Sequence, residues 1–569
     1  MPPLHSVHHR AVSAVIVLAT AVLAFVGCTG SAEPTATTIA TATATSSPVA
    51  SFPQPTATIA PAPPADLKQG GVLRLAIKEA PPHQDVHQSV SNVLATWGAG
   101  LAYSRLFKYQ SGPGVPLPSR IPECDLCTSW KQTGPLEFEF EIRDDVFWPD
   151  AWPLNGRRLT ASDIVFSYHR TMTPGFPNRQ ILSNIQEVAV FNDERMRIRL
   201  NSPDAEFFEK LADGHLTIVA PEAVQLNGQL FDGPTLGTGP WILQEVTTAG
   251  EIFDANRDYY GKDVPYLDAL SIQFIAQDST RAAGVRAGIL DADESTLTEV
   301  KSATEKFPEL QSLTIVRPDT GIEVALNTSR QPLDSLAVRQ AIFLAWNLDT
   351  AAEQIWDGEL TPSVGLNVPH VAWIAPFQER YSNMFGDDSA ANALLSNAGL
   401  TAADRLTIMV GEFGETRETD RFIATANSLA DALNGLGIAT EVLPVPTRLF
   451  ADNVWLRGDY DIFVGAPPPV SSLSGQLAGI YHSKGPWNTT KYSSAKLDAL
   501  IEQQAVKASV EVRRELLLQI QDEIMAGAHR FYASTGRNHW MWQPAVQDFW
   551  PNTTGASAEF LTKVWLNRQ

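Results

Sequence analysis

Residues 136–170, LEFEFEIRDDVFWPDAWPLNGRRLTASDIVFSYHR, carry three structural signals without a gap. From Leu136 to Arg143 the chain alternates strictly, with Phe138, Phe140 and Ile142 on one face and Glu137, Glu139 and Glu141 on the other. That period of two predicts a half-buried strand. A loop with Pro149, Pro153 and an Asn155-Gly156 turn follows. It leads to Thr160-Ala-Ser-Asp163, where a Thr at the helix start and an acid three residues on form a capping box. The helix it opens carries Ile164, Val165, Phe166 and Tyr168. Nothing in this strand, loop and helix is a nucleophile or a metal cluster, so by physics alone it is a core-building module.

Upstream, Arg10 and three histidines precede an uncharged run from Ala11 to Gly27. The run is shorter than the roughly 20 residues of a membrane span and suits the apolar region of an export signal. It ends Phe25-Val26-Gly27-Cys28, which resembles a bacterial lipoprotein box, whose cysteine is lipidated and becomes the first mature residue. An ordinary secretory signal with an incidental cysteine is the other reading. Residues 28–65, after the cysteine almost entirely Thr, Ala, Ser and Pro, cannot bury enough apolar surface to offset ordering entropy and are expected to form a disordered tether.

The chain has 569 residues and a formal charge of −21, and it carries no basic stripe. Such a body is a poor partner for nucleic acid or anionic lipid. Residues 66–569 exceed what one core holds, so at least two lobes are expected. Of the three cysteines, Cys28 is assigned to lipid, and Cys124 and Cys127 stand as an even pair in an exported protein. A local disulfide is preferred; a redox pair or half of a metal site would need a second Cys pair or a nearby His. His83 and His87 are spaced i, i+4, but Pro81-Pro82 stand just upstream and no third ligand is visible, so no metal is assigned.

Other segments complete a pattern. Asn92 to Leu106 reads as one helix, and Val188–Val190 with Met196–Leu200 as a hairpin about Asn192-Asp193-Glu194. Gly237-Thr-Gly-Pro240 lacks the helix start of a phosphate loop. Beyond Asp334, predicted helices to Asn347, 387–398, 421–436, 494–506 and 510–525 accompany strands at 406–410, 438–442 and 460–464, an α/β region. Taken in order, Gly70-Gly-Val-Leu-Arg74, Pro81-Pro-His83, the 136–170 stretch, Gly237-Thr-Gly-Pro240, Arg257-Asp-Tyr-Tyr260, Arg286-Ala-Gly288 with Asp291, and Val338-Arg-Gln-Ala341 resemble the extracellular solute-binding proteins of ABC transporters, in the family 5 class that includes oligopeptide- and dipeptide-binding proteins.

The resemblance implies an α/β, two-lobed periplasmic-binding-protein-like fold with mixed sheets flanked by helices and a hinge between lobes. By analogy lobe I comprises 66–90, 234–318 and 536–569, an added subdomain 91–233, and lobe II 319–535. It implies a monomer that captures a small solute, a peptide by default, and delivers it to ABC transporter permease subunits, held extracytoplasmically by lipid on Cys28. It also places His83, His87, Asn327, Trp373, Pro467 to Pro469 and Trp487 in loops facing the ligand. Peptide-binding members meet the peptide amine with an aspartate after the strand that Asp461–Gly465 resembles, whereas here Ala466-Pro-Pro-Pro469 follows. A sugar or other less charged solute stacked on some of the 14 tryptophans is therefore the alternative. An exported enzyme is the rival class, but no G-x-S-x-G, H-E-x-x-H or S-x-x-K element is present. No cofactor is implied.

Overall fold

The computed structural model describes residues 67–363, 366, 375–398, 405–413, 417–468, 472–507 and 510–568. The signal run, Cys28, the tether and Trp373 lie outside them.

The opening stretch folds as its pattern predicts. The strand Glu137–Ile142 buries Phe138, Phe140 and Ile142 within a four-stranded antiparallel sheet, and the helix Ala161–Thr171 follows. The residues that punctuate the stretch converge on one buried carboxylate. Asp163 accepts from the Thr160 backbone N–H at 2.9 Å, from the Arg157 guanidinium through both oxygens at 2.9 and 2.7 Å, and from the Trp148 indole at 3.4 Å. Arg157 also reaches Glu222, at 2.7 Å. One acid thus caps the helix and ties it to the loop.

At the far end of the same helix, Arg170 forms a bidentate pair with Asp85, which also accepts from the Leu230 backbone N–H. Burial alone would raise the Asp85 carboxyl, but the Arg170 guanidinium holds it down at about 2. Between the two charges, Ser167 Oγ accepts from the Val219 N–H and lies within hydrogen-bond reach of the Asp163 and Val219 carbonyls, at 2.8 and 3.1 Å, for its single proton. The helix that closes the stretch is therefore fastened at both ends and in the middle. A core of Phe107, Phe140, Met196, Ile198 and Leu216 lies beneath it.

A larger sheet organises the rest. Its order is Ala439–Pro446, Arg405–Glu412, Ile462–Gly465, Gln311–Leu326, Arg530–Trp542, Ala292–Ser295, Val72–Ile77, Ala269–Phe274, Gly250–Ala255 and Trp241–Val246, with Thr361–Ser363 added beside Arg530–Trp542. Two long strands, Gln311–Leu326 and Arg530–Trp542, pair antiparallel in the middle. At one end they hold Ala292–Ser295, and at the other Ile462–Gly465. The ladder between them shifts register between Arg317 and Gly321. Separate cores flank the two ends: Leu73, Trp241, Phe253, Ile272 and Phe560 at one, Val324, Ile342, Trp346, Leu429 and Phe531 at the other. The fold is two-lobed α/β, with the paired strands crossing between lobes.

Some predicted boundaries move. The expected helix from Asn92 to Leu106 ends at Trp97; Gly98 takes a non-helical conformation and a short 3-10 turn, Ala99–Ala102, follows. That turn lets the Ala102 carbonyl accept from the Gly239 N–H at 2.9 Å, and a side chain on Gly237 would strike the same carbonyl. The Gly-Thr-Gly-Pro motif is thus a close-packing device. Ser335, not Asp334, is the N-cap of the helix Leu336–Ala345, whose Val338, Ala341, Ile342 and Ala345 are buried as expected. The helix Arg417–Gly435 begins four residues earlier than its pattern suggests. Cys124 and Cys127 are joined in a disulfide.

Because Asp85 titrates lower in the fold than its ordinary value of 3.8, its pairing contributes stability above about pH 4 that is lost as the pH falls through about 2. Asp85→Asn is expected to lower unfolding free energy by about 2 kcal/mol or more at pH 7, and by much less at pH 2. Urea unfolding at the two pH values checks this.

Candidate functional site

A cavity of about 850 Å³ lies where the two long strands cross. That volume is within the roughly 300–1,000 Å³ of small-molecule sites. Its floor is the register break: Arg317 and Thr320 from one strand, and Thr535, Gly536, Arg537, His539 and Trp540 from the other. Gly536 is required there, since a Cβ would collide with Thr320 Oγ1. One wall is built from Leu75 to Lys78, from Val93 and Trp97, and from Glu294, Ser295 and the start of the helix Leu297–Lys306. The opposite wall is Asp357, Glu359, Glu418 and Arg421.

Five carboxylates and six Lys or Arg side chains line this space. Near-balance in a chain of charge −21 suits a ligand carrying both signs rather than a strong anion or cation. Most of the charges are held. Asp278 pairs with Lys78 and with Arg281, and Arg281 also donates to Asp293 at 2.8 Å. Arg421 forks onto Asp357 and Glu359 and lies over the Trp356 ring. Arg537 donates to the Glu359 carbonyl at 3.0 Å and to Thr361 Oγ1 at 2.8 Å.

His539 lies 3.4 Å from Glu359 through Nε2 and 2.9 Å from Thr314 Oγ1 through Nδ1. Burial, opposed by Glu359, holds its pKa below the ordinary value. It is therefore neutral at neutral pH, and the network assigns the proton to Nε2 with Thr314 donating to Nδ1. Trp97 and Trp540, with ring centroids 6.2 Å apart, supply apolar surface, and the buried Trp540 Nε1 and Ser295 Oγ have no hydrogen-bond partner among the described residues.

None of the loop residues singled out from sequence that the structure describes lines this cavity. His87 is buried, its Nε2 donating to the Thr217 carbonyl at 2.8 Å, and burial lowers its pKa to about 4. It is a neutral core residue. His83 packs on Phe231, and its Nδ1 accepts from the Asp85 N–H. Asn327 is buried, donating to the carbonyls of Gly458 and Tyr460. Trp487 is half-buried against a cluster with Leu473, Leu497 and Ile520. Pro467 follows the strand Ile462–Gly465 and is half-buried; Pro469 and Trp373 lie outside the described residues.

Among the described residues no group of three or more His, Cys, Asp or Glu is placed to hold a metal, and no helix is long and apolar enough to cross a membrane. Many of the lining residues that sequence reading missed sit on the long strands and on 292–298. On the first long strand the signal was the alternation of Leu313 and Ile315, resumed past Pro318 at Ile322 and Val324.

Comparison with known proteins now bears on this geometry. Residues 122–485 match the family described as bacterial extracellular solute-binding proteins, family 5, and the chain belongs to that family. A probable di/tripeptide-binding protein 5 of Pseudomonas aeruginosa is 27% identical over 329 residues, which cover 52% of this chain and 59% of that protein. Heme-binding protein A of Haemophilus influenzae is 25% identical over 328 residues, covering 52% and 56%. The chain thus spans little more than half the length of these relatives. HbpA2 of Haemophilus parasuis is similar in structure, with a TM-score of 0.75 and 20% identity over 88% of this chain and 100% of that one. The murein tripeptide-binding protein MppA, in its unliganded open form, gives 0.72 and 18% over 88% and 98%.

Trp487→Ala is expected to lower the unfolding free energy of the unliganded protein by about 2–4 kcal/mol, as truncation of a packed aromatic does, and to leave ligand affinity unchanged. Paired thermal-unfolding and titration measurements test both halves of that expectation.

Proposed function

We propose that this chain captures a short peptide in the cavity at the crossing strands and presents it to the permease of an ABC transporter. The observation that carries the reading is the cavity itself: about 850 Å³, lined by nearly balanced charge, at the crossing of the two long strands. Relatives named for di- and tripeptides support the ligand class. The relatives are named as binding proteins, not enzymes. The ladder break between Arg317 and Gly321 is the element about which the lobes would hinge, with ligand biasing the closed form through its contacts to both walls.

On this reading 66–90, 234–318 and 536–569 form lobe I, 91–233 its added subdomain and 319–535 lobe II. A lipid on Cys28 and the 28–65 tether would hold a monomer at the outer face of a membrane. A second reading, an uncharged solute stacked on tryptophan, has its own support in Trp97 and Trp540 within the same cavity.

Thermal unfolding against di- to pentapeptides, sugars and metal ions tests the proposal. A peptide at 100 times its Kd is expected to add about 2.7 kcal/mol and raise the midpoint. A rise only with sugars would move the ligand class, and turnover of a chromogenic substrate without any rise would overturn the binding-protein reading.

A further inference from the structure

We propose that Glu294 is the residue that receives the primary ammonium group of the ligand. The inference rests on the peptide reading of the cavity and assigns the amine-binding position within it. Glu294 belongs to the strand Ala292–Ser295, opposite Trp540 in the ladder, and both residues line the cavity. Its backbone lies in that ladder, and Arg281 donates to its carbonyl at 3.1 Å. Its carboxylate accepts no hydrogen bond from the described residues, and burial pushes its pKa up.

The other acids on the wall differ. Asp278 is taken by Lys78 and Arg281, and Asp357 and Glu359 by Arg421. Glu418 is exposed in the first turn of its helix. The charges that face Glu294 are Arg317, Lys78, Arg281 and Asp278. Of these, Lys78 and Arg281 are already bound to Asp278, and Arg281 to Asp293 as well. A half-buried carboxylate with open lone pairs carries a desolvation cost that a donor with positive charge offsets when it enters. An ammonium group has three N–H donors and no acceptor, so it complements such an oxygen pair and gains a charge-assisted bond there.

Isothermal titration of the full chain with a dipeptide library and with the same library N-acetylated tests this. The wild-type protein is expected to prefer free amines by roughly 10- to 100-fold, the range of a charge-assisted hydrogen bond. Glu294→Gln is expected to abolish that preference, to change affinity for acetylated peptides by less than about threefold, and not to lower the unliganded midpoint. A variant that keeps the preference would overturn the assignment. So would a wild type that binds free and acetylated peptides alike, although that result would leave the peptide reading standing. No binding of either library would overturn both.

Discussion

The antiparallel ladder between Gln311–Leu326 and Arg530–Trp542 is the constraint on which the rest of the structure depends. Each strand is long enough to serve both ends of the sheet: one end pairs with Ala292–Ser295, the other with Ile462–Gly465. The two lobes are therefore joined by hydrogen-bonded backbone rather than by a loose linker. That interruption, between Arg317 and Gly321, brings Thr320 against Gly536 so closely that no side chain fits at 536. A register break bends its strand and re-aims the neighbouring side chains, and here the re-aimed residues form the floor of the cavity. Architecture and site have one cause.

A second layer of constraint comes from buried charge pairs between segments far apart in sequence. Arg74 binds Asp291 through two nitrogens at 3.1 and 2.8 Å, fastening the first strand of the sheet to the residue before Ala292–Ser295. Arg170 of the helix Ala161–Thr171 reaches Asp85, and Arg530 reaches Glu323 within the central ladder. Each pair is nearly inaccessible to water on at least one side. Removing a single partner would strand a charge at a cost of about 3–5 kcal/mol. These pairs specify which segments meet more than they add net stability.

Those same pairs explain what the sequence made legible. Arg74, Arg157, Asp163, Arg170 and Asp291 all lie in the motifs that resemble family 5, and they hold backbone, one another or Asp85. Reading them identified the fold class, and the alternation at 137–142 and the helices beyond 334 followed from local periodicity. The ligand site was not legible by the same route. The motif loops that the resemblance sets against the ligand do not line the cavity: His87 and Asn327 spend their polar atoms on buried carbonyls. The cavity's own residues are joined only by register: Glu294 meets Trp540, and Thr320 meets Gly536, across separations that no local pattern encodes. The long strands themselves were obscured by Pro318 and Gly321, which read as breakers but mark the ladder's irregularity.

The central claim is that the ligand is held at this break, between Glu294 and Trp540 on one side and Arg421 on the other. A crystal structure of the protein with a peptide that raises its unfolding midpoint tests it most directly. The account predicts ligand density inside the cavity, in contact with Trp540 and residues 535–537. Density beside His83, Pro467 or Trp487, with the crossing-strand cavity empty, would contradict it.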